Sequence, residues 1–327
     1  MTMRLPGKNF FRRFVYFLKL IRVVNLLFII LIQYYIKYFI INPNIASVGA
    51  ASSLCLSDLQ FALLVLATVF LAAAGYIIND YFDIRIDRIN KPGRILIGRI
   101  FSRRFVIAFH TIFNIIGIVL GFYVSIAVGF YKLGILFIII SLMLWFYSTT
   151  FKRQVLTGNL IIAFLSAFSL LIVWIFDFFA LKSDFDVICQ MYVIFSNIII
   201  PYFIFAFIIS LIREIIKDIE DREGDSQCGA GTLPVVYGVR TSRYIAIALS
   251  VLLFILLLAF TYSKYSIGMN WKVLTWFLIC TVLLPLLFVI YRLFNTSEDK
   301  QYYSALSDLT RIIMFAGINS ILILYIF

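Results

Sequence analysis

The chain has 327 residues, of which 63% are hydrophobic and only 13% are charged, with a mean hydropathy of +1.04 and a formal net charge of +12. A soluble domain is roughly half apolar and about a quarter charged, so this composition excludes a water-soluble globular monomer. Apolar runs of about 20 residues recur along the chain, and each is long enough to span a bilayer.

The apolar runs predict an all-α integral membrane protein, a bundle of about nine transmembrane helices that forms a single domain over residues 1–327. Residues 1–23 form a basic N-terminal segment that continues into the first apolar run without a small-residue cleavage site, so that run is predicted to be a retained helix. Pro201 and Pro285 fall within two spans, where we expect kinks. The predicted spans are 24–42, 59–80, 105–128, 131–150, 158–179, 188–211, 244–263, 273–294 and 308–327.

The basic residues predict the orientation in the membrane. With nine spans, one side contains the N-terminal segment and most of the Lys and Arg, whereas the loops on the other side contain only Lys132, Lys182, Lys264 and Lys272. The positive-inside rule therefore places the N-terminus in the cytoplasm and the C-terminus outside, in the inner membrane if the cell is bacterial. The same basic residues suit anionic membrane lipids. They are spread over several loops without a soluble domain, which argues against nucleic acid as a partner.

Acidic residues are scarce, but they concentrate in two short segments, 79–87 and 218–225. In each segment polar residues recur at intervals of three or four, so a helix would place them on one face. Like charges on one face repel, and the pattern therefore indicates that divalent cations bind between the carboxylates. Oxygen ligands without His or Cys favour magnesium over zinc. The regularly spaced residues are Asn79, Asp83 and Asp87 in the first segment and Asp218, Asp221 and Asp225 in the second.

Both segments follow an even-numbered span, so the predicted topology places them on the same side of the membrane. Arg94, Lys152 and Lys217 lie in the same inner regions. Carboxylates with bound cations, flanked by Lys and Arg, are what a metal-bridged diphosphate requires. Surface ion pairs and a solvated acidic loop are the structural alternatives. A solvated loop does not explain why acids are rare elsewhere in the chain but regularly spaced here.

At these residues the sequence resembles the UbiA superfamily of intramembrane prenyltransferases. The first segment and the residues after it, 79–94, are similar to the NDxxDxxxD signature of that family and read NDYFDIRIDRINKPGR. The second segment, 217–225, is similar to the second Asp-rich motif and reads KDIEDREGD. Tyr147 and the residues around Lys152 resemble the middle inner loop of the family. Two long motifs in the expected order make the resemblance specific.

The resemblance implies a bundle with a central cavity that opens towards lipid and is capped by the inner loops. It also implies a Mg²⁺ cofactor and a polyprenyl diphosphate donor. Each motif would bind one side of the magnesium-bound diphosphate. Asp83, Asp87, Asp221 and Asp225 would have catalytic roles. Tyr147 would lie near the reacting carbon. The residues that would bind the diphosphate are Asn79, Arg94, Lys152 and Lys217.

The identity of the acceptor is inferred from the resemblance alone. The residues around the first motif look most like the branch that transfers geranylgeranyl to geranylgeranylglyceryl phosphate. Aromatic-acid members usually carry an Arg shortly before the signature and an Arg-Thr pair after it, and this chain has neither. An aromatic acceptor, such as 4-hydroxybenzoate or a quinone precursor, is the alternative. For an alcohol acceptor, Asp80 and Glu214 are candidate proton acceptors.

Three other classes compete with this interpretation. A transporter with intramembrane carboxylates would place them near the midplane rather than at the inner helix ends. A lipid-binding scaffold would not need two Asp-rich faces, which repel anionic lipid. An alcohol phosphatidyltransferase also has aspartates on membrane helices, but the number of spans and the long second motif argue against it.

Overall fold

The computed structural model describes residues 6–47, 56–90, 92–93, 95–181, 185–265, 268–295 and 299–326. Within these ranges the chain is almost entirely helical, and nine helical segments are long and apolar enough to cross a membrane. The prediction of an all-α protein with nine spans is therefore confirmed. The spans are Val23–Ser47, Asp58–Phe82, Arg103–Ala127, Tyr131–Thr149, Thr157–Ala180, Val187–Gln227, Gly238–Tyr265, Trp271–Phe294 and Lys300–Ile326.

Fifteen α-helices are described, and short π or 3₁₀ segments connect several of them into continuous spans. The helices are α1 (Pro6–Leu20), α2 (Val23–Tyr35), α3 (Asn42–Ser47), α4 (Asp58–Phe82), α5 (Ile84–Asn90), α6 (Arg103–Ala127), α7 (Ile135–Thr149), α8 (Thr157–Ala180), α9 (Phe185–Ile194), α10 (Ile200–Gln227), α11 (Leu233–Val236), α12 (Gly238–Tyr265), α13 (Met269–Leu278), α14 (Leu284–Phe294) and α15 (Lys300–Ile326). The π segments are Ile36–Ile41, Phe195–Ile199 and Ile279–Leu283, and the 3₁₀ segments are Tyr131–Gly134 and Phe151–Arg153.

A π segment precedes each of the three prolines within the spans. Pro43, Pro201 and Pro285 each stand two residues after the last residue of a π segment. Proline lacks the backbone N–H that an α-helix needs, and its ring clashes with the carbonyl of residue i−4. A wider π turn before the proline accommodates this clash without ending the span. The helix continues through all three positions.

The sixth span is longer than its hydropathy predicts. The sequence predicts an end near residue 211, where charged residues begin, but the helix continues to Gln227. A hydropathy profile detects the stretch of chain that crosses the hydrocarbon layer, which is about 30 Å thick. It does not indicate the residue at which the helix ends. At ~1.5 Å per residue, this span is about twice as long as that layer is thick. The second acidic segment therefore lies on α10 itself rather than on a loop after it.

The chain divides into two compact units. Residues Met1–Ile30 and Leu59–Thr150 form the N-terminal unit, and Leu31–Asp58 with Phe151–Phe327 form the C-terminal unit. In the N-terminal unit, α1 packs against the beginning of α6 through Phe17. The Phe17 ring contacts four phenylalanine rings at centroid distances of 5.2–6.5 Å. These phenylalanines recur every four residues, so one face of the α6 region holds the amphipathic α1. They are Phe101, Phe105, Phe109 and Phe113.

The core of the C-terminal unit is built around α10. This helix packs against α8, α12 and α15, and its apolar face contains fully buried isoleucines such as Ile212 and Ile216. The same helix also carries charged residues, because the second acidic segment lies in its last turns. Helix α10 therefore positions both the core and the acidic residues of this unit.

A buried ion pair joins two spans of the C-terminal unit. The Nζ atom of Lys37, on the π segment after α2, lies 2.6 Å from Oδ1 of Asp177 near the end of α8, and both side chains are almost completely buried. The backbone N–H of Leu56 also donates to Asp177 Oδ1 at 3.0 Å. A charge in an apolar interior is stable only when it is paired. The pair thus holds the first span against the C-terminal end of α8, which forms the fifth span.

We expect Asp177→Leu to lower the free energy of unfolding by about 3–5 kcal/mol, because it leaves the Lys37 ammonium buried without its counter-ion. The double variant Lys37→Met/Asp177→Leu should recover most of this loss, since only the Leu56 N–H then lacks its acceptor. Thermal unfolding in detergent micelles measures both effects. Equal melting temperatures for Asp177→Leu and the unmodified protein would show that the pair does not contribute to stability.

Candidate active site

In the N-terminal unit, the first acidic segment forms one helical face although α4 ends at Phe82 and α5 begins at Ile84. The N–H of Asp83 donates to the carbonyl of Asn79 at 3.0 Å, and the N–H of Asp87 donates to the carbonyl of Asp83 at 2.8 Å. These i→i−4 bonds carry the helical spacing across the junction. Asn79 and Asp83 are buried, and Asn79 Nδ2 donates to Asp83 Oδ2 at 2.8 Å. The predicted stripe of Asn79, Asp83 and Asp87 is therefore present.

Asp80, the second residue of the first motif, faces a different partner. The Arg22 guanidinium lies 2.7 Å from Asp80 Oδ1 and stacks over the Tyr76 ring at 5.1 Å. Partial burial acts to lower the pKa of Arg22, but the Asp80 carboxylate and Tyr76 outweigh it and raise that pKa above its usual value. Arg22 therefore remains charged, and Asp80 is held by an ion pair. This pairing argues against the role of proton acceptor that the sequence suggested for Asp80.

In the C-terminal unit, Asp218, Asp221 and Asp225 lie along α10, as their spacing predicts. Asn159, in the first turn of α8, donates from Nδ2 to Asp218 Oδ2 at 2.8 Å. Thr232, immediately before α11, donates from Oγ1 to Asp225 Oδ2 at 3.2 Å. These two hydrogen bonds orient carboxylates at both ends of the motif. Sequence reasoning assigned neither Asn159 nor Thr232 a role, and their positions in family-like segments were the only available signal.

Charged residues continue along α10 for one more turn on the N-terminal side of Asp218. Glu214 is buried, and its Oε1 atom lies 2.6 Å from Nη1 of Arg213. Its Oε2 atom lies 4.0 Å from Nζ of Lys217. The carboxylate of Glu214 therefore contacts both cations that precede the Asp motif. Since Glu214 is already paired with a guanidinium, it is a weaker candidate for a base than an isolated carboxylate would be.

The remaining predicted residues are distributed over both units. Lys152 lies in the 3₁₀ segment between α7 and α8, and the next residue, Arg153, accepts a backbone hydrogen bond from Gly231 at 2.9 Å. The Lys152 segment is thus tied to the segment that follows α10. Tyr147 is buried near the end of α7, in the N-terminal unit. Arg94 lies outside the described residues.

The donor atoms of both motifs are suited to a hard cation. Asn79, Asp83 and the three α10 aspartates offer only oxygen ligands, which suits Mg²⁺ and does not suit zinc. In the part of the chain that the structure describes, no group of three or more His, Cys, Asp or Glu side chains is arranged to hold a metal ion. Mg²⁺ usually completes its coordination with water and substrate phosphates. The residues present therefore fit a metal that binds together with a phosphorylated substrate.

Sequence comparison connects these motifs with known proteins. The sequence model of the UbiA prenyltransferase family matches residues 41–315, which include parts of both units. A digeranylgeranylglyceryl phosphate synthase from Methanosphaera stadtmanae is 36% identical over 202 residues, covering 61% of this chain and 66% of the relative. The match thus spans just under two thirds of that relative. The synthase of the same name from Sulfurisphaera tokodaii is 30% identical over 266 residues, covering 81% of this chain and 88% of the relative.

Solved structures are similar over almost the whole chain. One, described as digeranylgeranylglyceryl phosphate synthase in membranes, is 28% identical with a TM-score of 0.60, and the match covers 95% of this chain and 99% of that one. A UbiA homologue from Archaeoglobus fulgidus, bound to DMAPP and Mg²⁺, is 17% identical with a TM-score of 0.58, covering 93% and 98%. The latter likeness concerns the fold. The family model matches most of its length, and its described residues include nine helices long and apolar enough to span a membrane, so this chain is a multi-pass membrane protein that belongs to the UbiA prenyltransferase family.

Proposed function

We propose that this protein transfers a polyprenyl group, most suitably geranylgeranyl, from its diphosphate to geranylgeranylglyceryl phosphate in a Mg²⁺-dependent reaction. The observation that carries the proposal is the pair of oxygen-rich helical faces, one at the α4–α5 junction and one on α10. Both lie within the residues that the UbiA prenyltransferase family model matches. The names of the relatives support the choice of the glycerol lipid as acceptor.

The proposal assigns the diphosphate to residues of both motifs. Bound Mg²⁺ supplies positive charge that stabilises the departing diphosphate. The metal would be held by Asn79, Asp83, Asp87, Asp218, Asp221 and Asp225. Lys217, Lys152 and Arg94 would donate to the remaining diphosphate oxygens. The hydrogen bonds from Asn159 to Asp218 and from Thr232 to Asp225 support this assignment, because they hold those carboxylates in fixed orientations.

The reaction breaks the bond between C1 of the prenyl group and the diphosphate oxygen. The positive charge that develops on the allylic carbon must be protected from water, and an aromatic ring stabilises it through its π face. Tyr147, which is buried near the end of α7, is the residue that we assign to this role. The acceptor hydroxyl then forms a C–O ether bond with C1 and releases its proton. The products are the diphosphate and a lipid with two prenyl chains.

The orientation completes the proposal. Lys and Arg are concentrated in the N-terminal segment and in the loops that the topology places on the same side, so we assign that side to the cytoplasm. The first acidic motif lies at the C-terminal end of the second span and the second motif in the C-terminal turns of the sixth, so both would share that side. A diphosphate made in the cytoplasm would then reach its site without crossing the membrane.

An aromatic acceptor is the second candidate. It would use the same diphosphate chemistry, with ring carbon rather than hydroxyl oxygen attacking C1. Three relatives of this chain are named for a glycerol-lipid product, and the chain lacks the arginines typical of aromatic-acid members. These two points favour the lipid acceptor.

We expect Asp83→Ala and Asp221→Ala each to reduce turnover by about a hundredfold or more, because each removes a carboxylate from the proposed metal site. Both variants should still be recovered from membranes as monodisperse protein. Asp308→Ala is the matched control, since that aspartate is 62% exposed and its surface pair with Arg311 contributes little. Chelation of divalent cations should abolish transfer by the unmodified protein, and added Mg²⁺ should restore it. Turnover of Asp83→Ala equal to that of Asp308→Ala would remove Asp83 from the site.

A competition assay separates the two acceptors. Purified protein is given labelled geranylgeranyl diphosphate together with geranylgeranylglyceryl phosphate and 4-hydroxybenzoate at equal concentrations. We expect the label to enter the glycerol lipid, and to do so only with Mg²⁺. Label in the aromatic acid alone would retain the mechanism but reject the proposed acceptor. A transporter or scaffold would release no diphosphate in either case.

The position of Lys152 can be tested without changing a charged residue. A Cβ added to Gly158 would lie 2.8 Å from both the Lys152 Cα and the Phe151 carbonyl oxygen, so Gly158→Ala must displace the Lys152 segment. Small displacements of substrate-binding groups are costly, and we expect kcat to fall about tenfold or more. Gly268→Ala is the matched control. Gly268 immediately precedes α13, as Gly158 lies in the first turn of α8, and no atom of the described residues lies within 4 Å of its added Cβ. Equal kcat values for the two variants would argue against a role for Lys152.

A further inference from the structure

Three charged residues, Arg213, Glu214 and Lys217, lie on α10 between the apolar beginning of that helix and the Asp motif. Their side chains are 20%, 11% and 24% exposed, respectively. Glu214 contacts both cations, at 2.6 Å from Arg213 Nη1 and at 4.0 Å from Lys217 Nζ. A largely buried group of charges on a membrane-spanning helix is costly and indicates a function.

The charges in this group do not balance. Arg213 and Lys217 are four residues apart, so they lie on the same side of α10 and repel each other. The Glu214 carboxylate contacts both of them. Lys217 is also one helical turn from Asp221, whereas Arg213 is preceded in the chain by the apolar residues Leu211 and Ile212. Arg213 is therefore the cation at the apolar end of the group.

Arg213 has an unused hydrogen-bond donor. Its Nε atom is buried and has no hydrogen-bond partner among the described residues. Glu214 contacts the other side of the guanidinium, at Nη1, and so leaves the edge that carries Nε uncovered by that carboxylate. A guanidinium edge binds a phosphate or carboxylate through two parallel N–H bonds. The geometry calls for an anionic oxygen at this edge.

The anion bound at Arg213 would be distinct from the donor diphosphate. Arg213 precedes Asp218 by five residues, which corresponds to ~7.5 Å along the helix axis. The diphosphate that we assign to the Asp motif would lie one to three turns nearer the C-terminal end of α10. A second phosphorylated group, close to the first but separate from it, is what an acceptor with a phosphate near its reacting hydroxyl would present.

We propose that Arg213 binds the phosphomonoester of the acceptor and thereby selects a phosphorylated glycerol lipid. Glu214 is the positioning residue, because its carboxylate holds Nη1 of Arg213 and leaves the Nε edge for the ligand. The proposal rests on the lipid-acceptor function proposed above. It extends that function by assigning acceptor selection to one side chain, which neither acidic motif includes. An aromatic acceptor without phosphate would gain nothing from this site.

The test compares Arg213→Gln with Arg311→Gln. Both arginines are paired with a carboxylate on their own helix, at 2.6 Å for Arg213 and 3.1 Å for Arg311. For Arg213→Gln we expect KM for geranylgeranylglyceryl phosphate to rise about tenfold or more while KM for geranylgeranyl diphosphate changes by less than about twofold. Arg311→Gln should leave both values unchanged. Arg213→Lys, which keeps the charge but loses the planar edge, should lie between the two.

A second acceptor makes the role of the phosphate explicit. The unmodified protein should use geranylgeranylglycerol, which lacks the phosphate, with a KM about tenfold or more above that of the phosphorylated lipid, and Arg213→Gln should abolish this preference. Protection against thermal unfolding by geranylgeranylglyceryl phosphate should decrease in parallel. Equal KM values of the unmodified protein for the two lipids would overturn the proposal, and so would an equal rise in KM for the diphosphate in Arg213→Gln. Failure of the proposed function itself has a different signature, namely no transfer to either lipid by the unmodified protein.

Discussion

Charged and strongly polar side chains on membrane-spanning helices require partners, since an unpaired charge in an apolar medium costs several kcal/mol. This constraint accounts for several long-range contacts in the protein. Lys37 with Asp177, Arg22 with Asp80, and Arg213 with Glu214 are ion pairs of 2.6–2.7 Å. Polar side chains satisfy other carboxylates, as Asn159 does for Asp218 and Thr232 for Asp225. The pairs Lys37–Asp177 and Arg22–Asp80 also hold two segments of the chain in one arrangement.

The helical backbone organises these groups along the chain. Spacings of three and four residues place carboxylates on one face only if the helix is continuous. The helices stay continuous at a helix junction and at prolines within the spans. Backbone hydrogen bonds cross the α4–α5 junction at Asp83, and a π segment precedes each proline of the spans. The sixth span extends to Gln227, well beyond its apolar part. In both places a continuous helix therefore carries oxygen ligands at the end of, or beyond, the apolar part of its span.

This arrangement suits a reaction between two anionic lipids. A diphosphate needs concentrated positive charge, which a metal held by the aspartates of α10 would supply. The prenyl chains need an apolar environment, which the first turns of α10 offer. Its first turns are apolar, the next contain Arg213, Glu214 and Lys217, and the last carry the three aspartates. The order of residues on one helix thus matches the order of chemical groups that the proposed substrates would present. Aspartates with bound metal would hold the leaving group, and a guanidinium would hold the acceptor.

The sequence by itself determined the class of protein, the nine spans and the two acidic faces, because hydropathy and residue spacing are local properties. It also led to the family, which the match over residues 41–315 confirmed. Only the tertiary structure decided which side chains meet. Arg22 and Asp80 are 58 residues apart in the chain, Asn159 and Asp218 are 59 apart, and Lys37 and Asp177 are 140 apart. Such contacts depend on how helices rotate and cross, and this is set by the packing of many side chains at once rather than by the periodicity of any one segment.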